Sequence, residues 1–483
     1  MKNLKRTLAG LTALSLTLGL AACTGGSTEQ VEETAATTTA VTVAVNTATV
    51  AEEDQATLDA EADKYLPASD VLGDNTEIKW LAHYDLNPNT ANGGSESIPL
   101  NLFRTRYGGS VKYYTTTWNT RYSDLSTFVL GGEGIDFFPC DTAALPKGVV
   151  SGMFQPIDDY VDLSDPLWDG VKEAMEIYNF SGKHYEFVTS VSAENVVIYN
   201  KDTIEANNMD DPWELYQQGK WNWNTFESML ESYVDAEAEQ YGLDGYWAEK
   251  ALYLSAGVPA VSTDDSGSLV VNLMDPTLEK AQNFMYDLYI KDLVINREIF
   301  DWAEQPQFMG EGRELFYLVG AWAVQADPET WSTKIPPESL GLAPVPSPEG
   351  SDPYQAATLD GWVLCKGASN PQGVNVFALC NRLANTNDEA IAIGDEKVKA
   401  DYQWSDELIA INKEINELAA QYPVVDLATG VSTDVASLTT DGGDNVGLRA
   451  AMHGVEWATN RDEISGVVEM LVQEVDDQLK SLS

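Results

Sequence analysis

The chain is poor in histidine, cysteine and positive charge. Its 483 residues hold 3 histidines, 4 cysteines and 28 lysines and arginines, against 76 aspartates and glutamates. His83, His184 and His453 stand far apart with no metal-ligand spacing, and no Cys-x-x-Cys occurs. Zinc chemistry and histidine-dependent nucleophilic catalysis are therefore disfavoured, and no metal or cofactor is expected. A net charge of -48 repels DNA, RNA and anionic lipid, which speaks against a nucleic-acid partner. No apolar run reaches the roughly 18 to 20 residues that a bilayer span needs. Beyond Cys23 the cysteines are Cys140, Cys365 and Cys380, an odd number that cannot pair fully. Cys380 shares an apolar stripe with Val376, Leu379 and Leu383 and reads as core. A Cys365–Cys380 bridge stays open.

The N-terminus carries the first positive signal. Lys2, Lys5 and Arg6 precede an apolar run from Leu8 to Leu20, and Leu20-Ala21-Ala22-Cys23 follows. A basic start, a short apolar core and small residues before a cut describe a secretory signal peptide. Its ending resembles a bacterial lipoprotein signal over residues 1–22. That resemblance implies lipidation of Cys23 as the first mature residue and anchoring at the extracellular face of the bacterial cytoplasmic membrane. A plain signal peptide with a chance cysteine is the alternative. Residues 23–70 are rich in Thr and Ala, then in acid, with Tyr65 as their only aromatic. Such a stretch buries too little apolar surface to offset ordering entropy, so a flexible acidic tether is expected.

Downstream, strands read at Ile78 to Ala82, Val111 to Tyr114, Ile135 to Phe138 and Val196 to Tyr199. Helices read near 98–107 and 121–130. Strands 25 to 35 residues apart with helices between form the βαβ pattern of a mainly parallel sheet. Asn224-x-x-Glu227 and Asn460-x-x-Glu463 read as helix caps, and Asp275-Pro276 and Asn370-Pro371 as helix starts. Gly131-Gly132-Glu133-Gly134 lacks the Lys-Ser/Thr of a phosphate loop and reads as a helix end. Asp264-Asp265-Ser266-Gly267 fails as a calcium loop because the twelfth position from Ser262 is Leu273. It reads as a turn.

Longer phrases carry more. They are Gly182-Lys183-His184-Tyr185-Glu186-Phe187-Val188, Val197-Ile198-Tyr199-Asn200-Lys201-Asp202, Asp211-Pro212-Trp213-Glu214-Leu215 and Gly219-Lys220-Trp221-Asn222-Trp223. Gly320-Ala321-Trp322, Leu342-Ala343-Pro344-Val345-Pro346 and the run Thr358 to Pro371 follow in order. The ordered set, over roughly residues 76 to 480, resembles the family 1 extracellular solute-binding proteins of ABC importers, the maltose and oligosaccharide-binding type. The resemblance implies an α/β, two-lobed periplasmic-binding-protein-like fold with a hinge and an interlobe cleft. Lobe one would take 71–190 and 358–420, and lobe two 191–357 and 421–483. The crossings would fall near Val191 to Val196 and Ala357 to Trp362. The implied function is a lipid-anchored, non-catalytic monomer. It would capture a carbohydrate, an oligosaccharide in particular, and deliver it to the transmembrane subunits of an ABC permease. A surface glycoside hydrolase or lyase with paired carboxylates, and a receptor for a non-sugar solute, remain the alternatives. Few cations disfavour an anionic ligand, though Arg104 or Arg106 could serve one locally.

A sugar-binding cleft needs flat aromatic platforms and carboxylates or amides. The chain offers 13 Trp and 21 Tyr. Trp322 matches the Gly-x-Trp of sugar-binding members, whose indole stacks on a sugar ring. Asp360 and Trp362 lie on the expected second crossing. Asp141 follows the third strand, Tyr84 and Asp85 the first, and Trp118 the second. Glu194 stands near a family acid on the first crossing, displaced by one position. Trp221 and Trp223 belong to a generic phrase and are expected to pack the lobe.

Overall fold

The computed structural model describes residues 50–88, 96–443 and 446–482. The expected signal peptide, Cys23 and most of the expected tether lie outside the described residues. The tether expectation needs correction at its end, because Glu52–Tyr65 form helix α1. Leu58, Ala62 and Leu66 recur every fourth residue, line one face and are buried in the core. Polar contacts fasten the same element: Arg106 pairs with Asp63 at 2.5 Å, Tyr107 donates to the Pro67 carbonyl at 3.0 Å, and Asn387 donates to Glu61 at 2.9 Å.

The first sheet grows from β1 (Glu77–Ala82), β2 (Ser110–Thr115) and β3 (Phe137–Pro139), with α2 (Ile98–Tyr107) and α3 (Arg121–Gly131) between them. β1 pairs in parallel with both neighbours, as the βαβ spacing predicts. Gly108 and Gly132 close the two helices with φ of 62° and 71°, a left-handed cap that glycine takes without a Cβ clash.

β4 (Glu186–Ala193) stays in the first sheet, whereas β5 (Val196–Asn200) begins the second. The chain thus changes sheets within three residues. The second sheet adds β6 (Tyr241–Gly245), β7 (Glu314–Val319) and β8 (Leu340–Ala343) in the order β8-β5-β7-β6. β7 is buried at every position, as expected for a central strand covered on both faces. The chain leaves this sheet after Ala343 and rejoins the first at β9 (Gln355–Leu364). β10 (Pro423–Val424) completes the first sheet, ordered β10-β9-β3-β1-β2 with β4 also on β9. Mixed α/β layers on two sheets, joined by the crossings at 194–195 and 344–354, make the architecture two-lobed.

Cap chemistry places the helices, with two shifts from the sequence reading. Helix α4 (Trp223–Tyr233) is capped by Asn222, whose side chain accepts from the Thr225 N–H, not by Asn224. α5 (Ala248–Leu254) follows β6. α6 (Pro276–Ile290) and α7 (Pro371–Thr386) start at Asp275 and Asn370 as expected. α8 (Asp406–Gln421) packs along β4. α9 (Trp457–Lys480) begins before Asn460, which is buried and bonds the Gly447 backbone. The expected turn at Asp264 links the antiparallel strands Val261–Thr263 and Leu269–Val271. Cys365 and Cys380 are buried free thiols, as is the half-buried Cys140 a free thiol.

Leu58 tests whether α1 belongs to the folded body. Leu58→Ala should lower unfolding stability by about 2 to 5 kcal/mol, measured by denaturant titration. An unchanged midpoint would return α1 to the tether.

Candidate functional site

Ligands of open α/β sheets bind beyond the carboxyl ends of the strands, and the candidate residues gather there. Tyr84 follows β1, Trp118 follows β2 and Asp141 follows β3. Tyr246 and Trp247 follow β6, and Trp322 follows β7.

On the first lobe the centre is a pair of carboxylates. The antiparallel ladder of β9 on β3 runs Val363↔Phe138 and Trp362↔Pro139. The Cys140 N–H donates to the Gly361 carbonyl, so Asp141 and Asp360 come next on either side. The β4–β9 register shifts between Asp360 and Gly361, a bulge that re-aims a side chain. A Cβ at Gly361 would lie 2.2 Å from the Phe187 carbonyl oxygen, so only glycine permits this approach. Asp360 Oδ2 accepts from Ser192 at 2.8 Å and Ser190 at 3.2 Å. Burial pushes the Asp360 carboxyl up, and the two serines oppose that shift. Asp141 is held by Arg121 Nε at 2.7 Å, by the Tyr122 hydroxyl and by the Ala143 N–H at 2.9 Å. Burial, with the Asp360 and Asp141 charges beside it, pushes the Tyr84 phenol up, so Tyr84 stays a hydroxyl donor.

Trp118 is pinned from behind. The Arg121 guanidinium lies 3.7 Å from its ring centroid, His83 meets its edge at 5.2 Å, and Arg121 donates to the Trp118 carbonyl. Burial and the Arg121 charge push the His83 imidazole down, so it stays neutral.

On the second lobe, Trp322 folds over Gly320, and a Cβ at Gly320 would meet both the indole and, at 3.1 Å, the Glu194 carbonyl. Tyr246 lies 4.4 Å from Trp247 and 6.4 Å from Trp322, so the three rings form one patch. Trp247 takes φ 63°, ψ 31°, a left-handed conformation that a bulky side chain adopts at a cost of about 1 to 3 kcal/mol. Beneath them, Arg297 binds Asp244 Oδ1 at 2.8 and 2.5 Å and the Gly245 carbonyl at 2.6 Å. Glu249 receives Arg449 at 3.4 Å and His453 at 3.2 Å. Glu194 pairs with Lys250 at 2.7 Å, tying the crossing segment to α5.

The structure therefore places Tyr84, Trp118, Asp141 and Trp322 just beyond strand ends, Asp360 against Ser190 and Ser192, and Glu194 against Lys250. Trp322 is 44% exposed and Trp118 46%. One expectation needs correction. Trp362 is only 7% exposed and stacks on Phe377 at 5.0 Å, with Trp80 and Phe137 at its edges, so it is core. The bulge explains this: it turns Asp360 to one side and Trp362 into the sheet's packed face. Asp85 is not overturned: its Oδ1 accepts from the Asn87 N–H and side-chain amide, both at 2.9 Å, and so fixes the loop after β1. Trp221 and Trp223 are buried, as expected. Sequence reasoning missed Ser190, Ser192, His83, Arg121, Tyr246, Trp247 and Lys250. Trp247 obeys the strand-end rule, but Tyr241-Gly242-Leu243-Asp244-Gly245 carries two glycines and an acid and does not read as a strand. A separate cavity of about 440 Å³ lies away from these strand ends and includes Glu176 and Asp264. Those acids already bind His184 and Ser266.

Two α/β lobes with a polar-aromatic cluster at the strand ends define the architecture of a solute-binding protein. Residues 88–380 match the family model described as bacterial extracellular solute-binding protein, and the chain belongs to that family. Solved structures share the fold. An ABC substrate-binding protein of Listeria monocytogenes in complex with cycloalternan is 15% identical, with 85% of this chain and 99% of that chain covered and a TM-score of 0.55. The extracellular solute-binding protein of Staphylococcus aureus in complex with maltose is 14% identical, with 83% and 98% covered and a TM-score of 0.57. The sugar-binding protein MalE of Xanthomonas citri is 15% identical, with 84% and 98% covered and a TM-score of 0.56. No curated protein matches the sequence.

Glu249 gives the second lobe a pH signature. Burial pushes its carboxyl up, but the His453 hydrogen bond and the Arg449 charge outweigh burial and hold it down at about 2. Its folded value lies below the unfolded one of about 4.3. Its stabilisation is therefore present above that unfolded value and lost as pH falls through about 2. Glu249→Gln should lower the melting temperature at pH 7, and the gap to the wild type should narrow between pH 4 and pH 2. A pH-independent gap would reject the charge argument.

Proposed function

We propose that the protein captures a carbohydrate, an oligosaccharide in particular, between its lobes and delivers it to the transmembrane subunits of an ABC importer. It works as a monomer, held at the outer face of the cytoplasmic membrane by lipid on Cys23. The observation that carries the reading is the pairing of exposed indoles, Trp322 and Trp118, with carboxylates at the strand ends beside the crossing. A sugar ring presents an apolar C–H face to an indole and hydroxyl donors to a carboxylate. The relatives solved with cycloalternan and maltose support the same ligand class. Hinge closure follows when the ligand binds the closed state more tightly than the open one.

Two adjacent carboxylates are also what a glycoside hydrolase uses. Here both Asp141 oxygens already accept from Arg121, Tyr122 and Ala143, which favours a fixed structural acid over a free base.

Thermal unfolding of the chain from residue 23, carrying Cys23→Ser, should shift with one of a panel of mono- and oligosaccharides. A ligand at a hundred times its Kd adds about 2.7 kcal/mol. The sugar should be recovered intact; a cleaved sugar would establish the hydrolase. Trp322→Ala should weaken binding at least severalfold with an unchanged circular dichroism spectrum, and unchanged affinity would remove Trp322 from the site. In cells, Cys23→Ser should move the protein from the membrane fraction to the soluble one. Retention in the membrane would reject the lipid anchor.

A further inference from the structure

We propose that the cleft selects sugars without acidic groups, and that Asp360 is the specificity-determining residue. The inference rests on the carbohydrate reading above.

The first argument is the state of the cations around the cleft. Arg121 is bound to Asp141 at 2.7 Å and stacked on Trp118. Lys250 is bound to Glu194 at 2.7 Å. Arg297 is bound to Asp244, and Arg449 and His453 to Glu249. Arg104 and Arg106 sit on α2 and face Glu96 and Asp63. An acidic sugar would have to take one of these cations from its carboxylate. Breaking a largely buried pair leaves a charge uncompensated in a poorly solvated place.

The second argument is Asp360 itself. Among the described residues no cation pairs with it. Its two side-chain hydrogen bonds, from Ser190 and Ser192, both fall on Oδ2. Oδ1 accepts none from the described residues, and the bulge at Gly361 fixes the direction of the carboxylate. A hydroxyl donor satisfies Oδ1 with a charge-assisted bond. A ligand carboxylate at the same place meets an acid that no described cation neutralises, in a medium that screens far less than water. The same residue therefore attracts a neutral sugar and rejects an acidic one, the two halves of a specificity device.

The test is calorimetric titration of the mature chain carrying Cys23→Ser. The probes are maltotriose, cellotriose and mannotriose, each against its counterpart with C6 oxidised to the carboxylate. A neutral member should bind at least tenfold more tightly than its oxidised counterpart. Asp360→Asn should weaken the neutral sugar severalfold and reduce the discrimination to below threefold. Asp360→Ser, read in the same way, covers the case in which the asparagine variant fails to fold. An oxidised sugar that binds the wild type as tightly as its neutral partner overturns the inference and leaves the carbohydrate reading intact. Full discrimination retained in a folded Asp360 variant removes the role of Asp360. A chain that binds no carbohydrate of either kind, but binds a peptide or an organic acid, overturns the carbohydrate reading and this inference with it.

Discussion

The antiparallel pairing of β4 with β9 is the constraint on which the rest depends. It runs from Glu186↔Val363 to Ala193↔Ala357 and ends where both strands hand the chain over to the other lobe. The first lobe's sheet is built outward from this pair, and the second begins three residues beyond it at Val196. The pair also aims the site. Its single irregularity lies between Asp360 and Gly361, where the carboxylate meets Ser190 and Ser192. A regular ladder would alternate side chains strictly. The bulge breaks that alternation at one position, which places Asp360 beside the crossing while Trp362 remains in the core.

A chain with 76 acids and 28 basic side chains must place its cations where they matter most. Around the site each has a defined carboxylate: Arg121 with Asp141, Lys250 with Glu194, Arg297 with Asp244. These pairs do two things. They give each acid an opposite charge within hydrogen-bond distance, and they hold the loops after β2, β3 and β6 in one conformation. Trp118 and Tyr246 inherit their positions from them. The aromatic surfaces are therefore set by electrostatic supports beneath them, and the exposed ring faces remain free for contact.

Much of this was legible in the sequence. The strand patterns at Ile78, Val111 and Val196, the helix starts at Asp275 and Asn370, and the strand-end positions of Tyr84, Trp118 and Asp141 all follow from local chemistry. The two-lobed fold followed from the ordered phrases rather than from periodicity. What escaped is non-local. The bulge that buries Trp362 depends on the approach of Gly361 to Phe187, which no window of sequence displays. Strand β6 was hidden by its glycines, and Trp247 with it. Helix α1 was hidden by composition: among the described residues its buried side is Leu58, Ala62 and Leu66, set among many acids. A partner surface on α2 supplies the apolar contact that the segment itself lacks.

That helix also decides how the body bears load. The segment leading in from residue 50 is fastened to the first lobe through α2, Arg106 and Asn387. A pull on residue 50 would therefore be met first by the packing of α1 on the first lobe. The fastening lies on the first lobe's helices rather than on the β4–β9 pair, being made to α2, Arg106 and Asn387.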